Sequence, residues 1–237
     1  MNTVEFLRLS SEIVPDRTAI IFEDKRIDFS TLQQRVNKLA DSLSKLGVVA
    51  GDRVSTIQVN CNEHIETYFA ITSLDAIYVP VNFRVRSEEL EVMLSDSRPK
   101  VVFAGYRYHE LVKQATENNK DVELLVSMDD ESDGWINYDD LIRDGEPEDR
   151  FPEYDDDDTN IIMYTSGTTG APKGVMLKHD SFSSYILANV MPADPDEEEK
   201  NILTVPLHHI AGMQAVISAI YGGRTLVIQR QFEPHDW

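Results

Sequence analysis

The residues best suited to chemistry in this 237-residue chain lie in one loop of small side chains. Two apolar runs, residues 161–164 and 175–177, flank the loop and are typical of strands. Between them stand hydroxyl side chains, glycines and one lysine. The candidate ligands for an anion are Thr165, Ser166, Gly167, Thr168, Thr169, Gly170 and Lys173.

This composition suits a polyphosphate. Glycines let backbone N–H groups approach an anion closely, and successive N–H groups form anion-binding concavities. The serine and threonine hydroxyls are further donors, and Lys173 adds a mobile positive charge. We therefore expect the loop to bind phosphate groups. A glycine-rich and threonine-rich turn without a ligand is the alternative.

The loop does not have the spacing of a Walker P-loop, in which G-x-x-x-x-G-K-[ST] opens a helix. Pro172 stands five positions after Gly167, and Gly174 follows Lys173. The residues after the loop have strand character, so no helix N-terminus is predicted to face the phosphate. An unrelated P-loop NTPase is therefore the least favoured interpretation.

Strand-like runs alternate with amphipathic helical segments along the rest of the chain. Strands are expected at 17–22, 27–29, 54–59, 76–82, 100–104, 122–127, 202–205 and 224–229. Helices are expected between most of them, with a short one at 138–142. This alternation indicates an α/β fold with mostly parallel sheets flanked by helices.

Polar residues at the first strand-to-helix turns allow us to predict which side chains cap the following helices. Ser30, with Gln33 three residues later, has the pattern of a capping box. Asn60 or Asn62 is expected to cap the next helix. His64 lies at that same turn, and we interpret it as a surface residue at a helix start. The carboxyl end of a strand is nevertheless where α/β sheets bind ligands.

The net charge of −20 is unevenly distributed, because residues 129–158 contain fifteen Asp and Glu residues and two Arg. We expect this stretch to be mainly surface loop. It separates an N-terminal α/β subdomain (1–158) from the phosphate-loop hairpin and the start of a second α/β subdomain (159–237). Residues 155–158 are expected to be solvated, with a metal site there as the less favoured alternative. The charge balance argues against nucleic acid as a partner.

Cysteine content and hydropathy indicate the compartment. The single Cys61 excludes an internal disulfide and fits a reducing compartment. The N-terminus does not have the pattern of a secretory signal, and no apolar run approaches the ~20 residues of a membrane span. We expect a cytoplasmic protein without an integral membrane segment.

The string TSGTTG-x-PKG at residues 165–174 resembles the signature phosphate loop of the adenylate-forming (AMP-binding) superfamily, and all nine fixed positions match. The similarity extends across nearly the whole chain. Residues 204–213 resemble the family segment in which an aromatic residue and then a histidine follow a proline. His209 matches that histidine, and His208 replaces the aromatic. Asp75 stands where the family usually has glycine.

The resemblance implies the N-terminal part of the large domain of an acyl-CoA synthetase, an acid–thiol ligase of the type active in fatty acid metabolism. Such an enzyme joins a carboxylic acid to ATP as an acyl-adenylate and transfers the acyl group to coenzyme A. ATP, Mg²⁺ and coenzyme A are the implied cofactors and substrates. The loop would hold the β- and γ-phosphates. His209 would be the catalytic residue beside the substrate carboxylate, and no metal ligand is assigned. A packed and a solvated histidine without catalytic role is the alternative for His208 and His209.

The resemblance also implies that the adenine-binding segments, the acidic Mg²⁺ residue and the C-terminal lid with its lysine lie beyond Trp237. We therefore expect the 237 residues alone to be inactive. An adenylation domain serving a carrier protein is one alternative, and a non-catalytic nucleotide-binding or interaction module of the same fold is another. Exposed apolar surface on such a domain would favour self-association, and a homodimer is one expectation.

Overall fold

The computed structural model describes residues 1–155, 157–165 and 172–232. The predicted strands are confirmed to within two residues at each end. In chain order the elements are α1 (Val4–Ile13), β1 (Thr18–Phe22), β2 (Lys25–Asp28), α2 (Phe29–Lys45), β3 (Arg53–Ile57), α3 (Asn62–Thr72), β4 (Ile77–Pro80), α4 (Ser87–Ser97), β5 (Val101–Ala104), a 3₁₀ turn (Tyr106–Tyr108), α5 (His109–Thr116), β6 (Leu124–Ser127), β7 (Ile136–Asn137), α6 (Tyr138–Asp144), β8 (Thr159–Thr165), β9 (Lys173–Lys178), α7 (His179–Asn189), β10 (Lys200–Leu203), α8 (Ile210–Tyr221) and β11 (Thr225–Ile228).

Within the described residues the strands form two sheets. The larger has the order β7-β6-β5-β3-β4-β8-β9, and its neighbours are parallel except for the β8–β9 hairpin. The smaller has the order β10-β11-β1-β2 and is parallel except for β1–β2. The predicted α/β class with mostly parallel sheets is confirmed. Each sheet takes strands from both sides of residue 158, and the division into domains at that residue stays a prediction.

The main hydrophobic core joins the two sheets. It contains buried side chains of both sheets and of α1, α2, α3, α6, α7 and α8, whereas α4 and α5 cover a second cluster on the other face of the larger sheet. The apolar residues of α2 recur at helical spacing and are fully buried, as an amphipathic helix against a core requires. They are Leu32, Val36, Leu39 and Leu43.

The prediction that Ser30 caps α2 is wrong. The cap is Asp28, whose carboxylate accepts a hydrogen bond from the Thr31 N–H at 2.6 Å, and the Ser30 hydroxyl donates to that same carboxylate at 3.2 Å. Gln33 donates instead to Asn37 within the helix. The helix follows β2 without a loop, so the last strand residue takes the capping role.

The predicted asparagine cap of α3 is also wrong. The residue before the helix is Cys61, which makes no capping hydrogen bond through its side chain. Asn62 lies inside the first turn and donates to Glu66 at 2.9 Å. Asn60 donates instead to the carbonyls of Val205 and Gln229, just after β10 and β11 of the smaller sheet. The two asparagines are therefore used for tertiary contacts.

The backbone conformation at Asp75 explains why the family usually has glycine at this position. Its backbone has φ +52°, in the left-handed region that glycine adopts most easily. Aspartate tolerates this region better than most residues, so the turn between α3 and β4 forms with Asp75 in place.

None of the helices in the described part of the chain combines the length and the hydrophobicity that crossing a membrane requires. In residues 1–155, 157–165 and 172–232 there is also no group of three or more His, Cys, Asp or Glu side chains that could hold a metal ion.

Candidate functional site

The β8–β9 hairpin fixes the two ends of the small-residue loop. Thr165 pairs with Lys173 across the hairpin, and Tyr164 pairs with Gly174. Both Thr165 and Lys173 are exposed. The predicted ligands between them lie outside the described residues: Ser166, Gly167, Thr168, Thr169 and Gly170. The hairpin therefore presents a hydroxyl and an ammonium group side by side at the base of the loop.

Gly174 permits the close pairing at this end of the hairpin. A Cβ at this position would lie 2.9 Å from the Ile162 Cγ2 atom and 3.3 Å from the Tyr164 ring. The absent side chain lets the two strands remain in register up to Lys173.

The site forms where the carboxyl ends of strands from both sheets meet. In the larger sheet β3, β4 and β8 are parallel, so their following segments leave from the same edge. In the smaller sheet β10 and β11 are parallel and do likewise. A backbone hydrogen bond from the Asn60 N–H to the Arg230 carbonyl, 3.1 Å long, joins the edge after β3 to the edge after β11. Ligands of α/β proteins bind at such carboxyl edges.

A cavity of about 330 Å³ lies between these edges. Of the described residues that line it, Arg84 alone carries a formal charge, and none is a carboxylate. The absence of acidic side chains from this lining in a chain of net charge −20 suits an anionic ligand. The lining residues are Asn82, Phe83, Arg84, Thr204, Pro206, His208, His209, Gln231 and Phe232.

A second cavity, of about 270 Å³, adjoins the base of the small-residue loop. Most of its wall is apolar, but Thr165 and the two histidines also line it. His208 and His209 border both cavities and therefore stand between them. The lining residues are Met163, Tyr164, Thr165, Val175, Leu177, His208, His209 and Ile210.

The two histidines differ in environment. His208 is buried and packs edge-on against Phe83, with 5.4 Å between ring centroids. Burial, together with smaller contributions from the neighbouring His209 and Arg84, lowers the pKa of His208 to about 4. The ring is therefore neutral at pH 7 and fills the place of the family's aromatic residue as an aromatic ring. His209 is exposed at the N-cap of α8, with its ring centroid 4.3 Å from that of His208. Its catalytic role stays a prediction.

His64 is the residue of this region that sequence reasoning placed wrongly. Instead of lying at the surface it is 1% exposed, and its ring packs edge-on against Tyr78 at 5.9 Å. Every residue of α3 is buried, because this helix runs through the core that joins the two sheets. The polar residues at its start suggested solvent, and no local signal in the sequence reveals that the smaller sheet covers them.

Acidification is expected to destabilise the protein through His64. Burial lowers the pKa of His64 to about 3 in the folded state, below the ordinary value of 6.5 that applies to the unfolded chain. The unfolded state therefore binds a proton first, and the stability that is complete above pH 6.5 is lost as the pH falls toward 3. Between pH 7 and pH 5 this loss should be about 2 kcal/mol. His208 adds a similar loss because its pKa is also lowered, so the His64 contribution is the difference between urea denaturation of the unsubstituted chain and of a variant without the His64 imidazole at both pH values.

His64→Phe is the matched variant, because it keeps a buried ring but cannot bind a proton. The pH dependence of its unfolding free energy should be shallower than that of the unsubstituted chain by the same amount. Equal slopes for the two proteins would show that His64 does not carry the effect.

Comparison with known proteins relates this chain to a family. The family model for AMP-binding enzymes matches residues 8–237. Over 235 residues the chain is 29% identical to an indoleacetate–CoA ligase of Aromatoleum aromaticum, and this match covers 98% of the chain and 46% of that protein. Over 213 residues it is 32% identical to a long-chain-fatty-acid–CoA ligase of Mycobacterium tuberculosis, with 89% and 41% covered. The chain thus spans less than half the length of these curated relatives.

Solved structures have the same fold. The inhibitor-bound N-terminal domain of FACL13 from Mycobacterium tuberculosis superposes with a TM-score of 0.87 at 29% identity, covering 98% of this chain and 58% of that one. A long-chain-fatty-acid–CoA ligase from Archaeoglobus fulgidus superposes with a TM-score of 0.88 at 23% identity, covering 100% of this chain and 48% of that one. At that identity the second match supports the fold alone.

Proposed function

Because this chain belongs to the AMP-binding enzyme family, we propose that it is the phosphate-binding part of a carboxylate–CoA ligase. The observation that carries the proposal is a juxtaposition: Thr165, at the start of the small-residue loop, and His209 line the same cavity. This arrangement would bring the phosphates of ATP, held by the loop, next to a carboxylate held at His209. The two curated relatives described above are both CoA ligases.

In the proposed reaction a carboxylate oxygen forms a bond to the α-phosphorus of ATP. The bond from that phosphorus to the bridging oxygen breaks, and pyrophosphate leaves with its electron pair. The sulfur of coenzyme A then forms a bond to the acyl carbon, the bond from that carbon to the phosphate oxygen breaks, and AMP leaves with the electron pair while the thiol proton passes to solvent. Donors of the loop and the Lys173 ammonium would stabilise the charge that develops on the departing pyrophosphate. Mg²⁺ bound mainly through phosphates and water would add to this charge neutralisation.

His209 is proposed to hold the reacting carboxylate. It occupies the N-cap position of α8, a helix of twelve residues, so the partial positive charge of the helix N-terminus favours an anion at the same place. The apolar wall of the adjoining cavity, which includes Met163, Val175 and Ile210, would exclude water and strengthen these electrostatic interactions. The cavity on the other side of His209, lined by Arg84, would accept a second anionic group.

Nucleotide titration tests the proposal. The 237-residue chain should bind Mg·ATP and pyrophosphate saturably in calorimetry. It should bind AMP more weakly, because the loop is proposed to bind the β- and γ-phosphates. Failure to bind pyrophosphate at millimolar concentration would contradict it. Since the chain spans less than half of its curated relatives, we expect no carboxylate-dependent exchange of labelled pyrophosphate into ATP. Exchange by the chain alone would show that no further residues are needed.

A further inference from the structure

Asn60 uses its whole side chain to connect the two sheets at the site. It follows β3 of the larger sheet and is 1% exposed. Its Nδ2 group donates to the carbonyls of Val205 and Gln229, each at 3.2 Å, and its Oδ1 atom accepts from the Leu207 N–H at 3.0 Å. These partners are 145 or more residues away in sequence.

The partners also determine the orientation of the amide. The two carbonyls can only accept and the Leu207 N–H can only donate, so the nitrogen of Asn60 must face the former and the oxygen the latter. An aspartate at this position would place oxygen against the carbonyls, and a glutamine would be one methylene longer. Asparagine alone among the amides and acids supplies these donors and this acceptor at this length.

Two of these contacts hold the segment that carries the histidines. Residues 206–209, here named the histidine turn, form the last part of the connection from β10 to α8 and are closed by a hydrogen bond from the His209 N–H to the Pro206 carbonyl at 3.0 Å. Asn60 binds the residue before the turn, Val205, and its second residue, Leu207. The first turn of α8 packs closely against the same segment: a Cβ on Gly212 would lie only 2.4 Å from the Pro206 carbonyl oxygen.

We propose that Asn60 is a positioning residue that fixes the histidine turn against the larger sheet, and so sets where His208 and His209 stand relative to Phe83 and Thr165. The hydrogen bonds are buried, and a buried donor or acceptor that loses its partner destabilises the folded state. A shift of the histidine turn is therefore opposed by this loss of free energy while Asn60 is in place. The consequence for catalysis rests on the function proposed above, whereas the placement of the turn does not.

Nuclear magnetic resonance titration of the histidine rings tests the placement without any nucleotide. In the unsubstituted chain His208 should titrate near pH 4, because burial against Phe83 disfavours its protonated form. In Asn60→Ala the turn should loosen and expose the ring, and the pKa of His208 should rise by about one pH unit or more toward its ordinary value. The titratable and charged groups that face His208 are His209, Arg84 and His64, and the substitution removes none of them.

Asn160→Ala is the matched control. Asn160 is also a buried asparagine, but it donates to the Tyr68 hydroxyl at 3.0 Å and makes no contact with the histidine turn among the described hydrogen bonds. The Asn160→Ala substitution should leave the pKa of His208 unchanged, although we expect it to destabilise the chain about as much as Asn60→Ala does. If Asn160→Ala raises the pKa of His208 as much as Asn60→Ala does, the effect is a general loosening of the fold and the proposal fails.

A folded Asn60→Ala chain in which His208 titrates as in the unsubstituted chain would also overturn the proposal. Should that variant not fold, Asn60→Leu decides the question by the same readout, because it keeps the size and adds no charge beside His208 but loses both amide donors and the acceptor for Leu207. Since no ATP is present, a negative result here is distinguishable from failure of nucleotide binding.

Discussion

Replacing Lys173 with alanine is expected to weaken the binding of both ATP and pyrophosphate to this chain by at least about tenfold, the equivalent of roughly 1.4 kcal/mol. Lys173 is exposed and stands opposite Thr165 at the base of the small-residue loop. A charge-assisted hydrogen bond from an ammonium to a phosphate contributes about 1.5–3 kcal/mol, so its loss should exceed the effect of any single hydroxyl of the loop. Calorimetric titration with each ligand measures the change.

Lys178→Ala controls for the loss of one positive charge. Lys178 is an exposed residue of the same strand, at its far end, and pairs with Asp157 at 2.5 Å. Both variants change the net charge equally, so only a local contact distinguishes them. AMP, which lacks the β- and γ-phosphates, should be affected less than ATP. If Lys173→Ala and Lys178→Ala bind pyrophosphate with equal affinity, Lys173 does not contact the phosphates.

Replacing Arg35 with methionine should destabilise the folded chain by about 3–5 kcal/mol. Arg35 on α2 lies 3.0 Å from the carboxylate of Glu66 on α3, which is fully buried. That carboxylate also accepts hydrogen bonds from the Tyr138 hydroxyl at 2.7 Å and from the Asn62 amide at 2.9 Å. Without Arg35 a buried negative charge would keep its hydrogen bonds but lose its counter-charge.

Chemical denaturation at pH 7 measures this effect, and two further variants identify its cause. In Arg35→Met/Glu66→Gln neither member of this ion pair is charged, so most of the lost stability should return. Arg143→Ala breaks an ion pair with Asp140 on the surface and should leave stability nearly unchanged. An Arg35→Met chain as stable as Arg143→Ala would mean that Arg35 does not stabilise the carboxylate of Glu66.

The features of this protein that are local in sequence could be predicted from the sequence alone. The apolar runs predicted the strands, because the apolar pattern of a strand is a property of a few consecutive residues. The alternation of these runs with helical segments predicted the parallel arrangement of the strands. The spacing of Leu32 to Leu43 determined the buried face of α2. The string around Lys173 indicated the family, since a phosphate loop takes most of its donors from one continuous segment.

The tertiary structure decided which polar residues are buried and which segments meet. Thr165 and His209 lie far apart in the chain, and they line one cavity because strands of two different sheets end at a common edge. His64 and Asn60 belong to a polar stretch with the pattern of a solvated helix start, yet both are almost fully buried. Burial of such residues depends on the second sheet, whose strands come from the two ends of the described chain, and no local pattern around residue 60 contains that information.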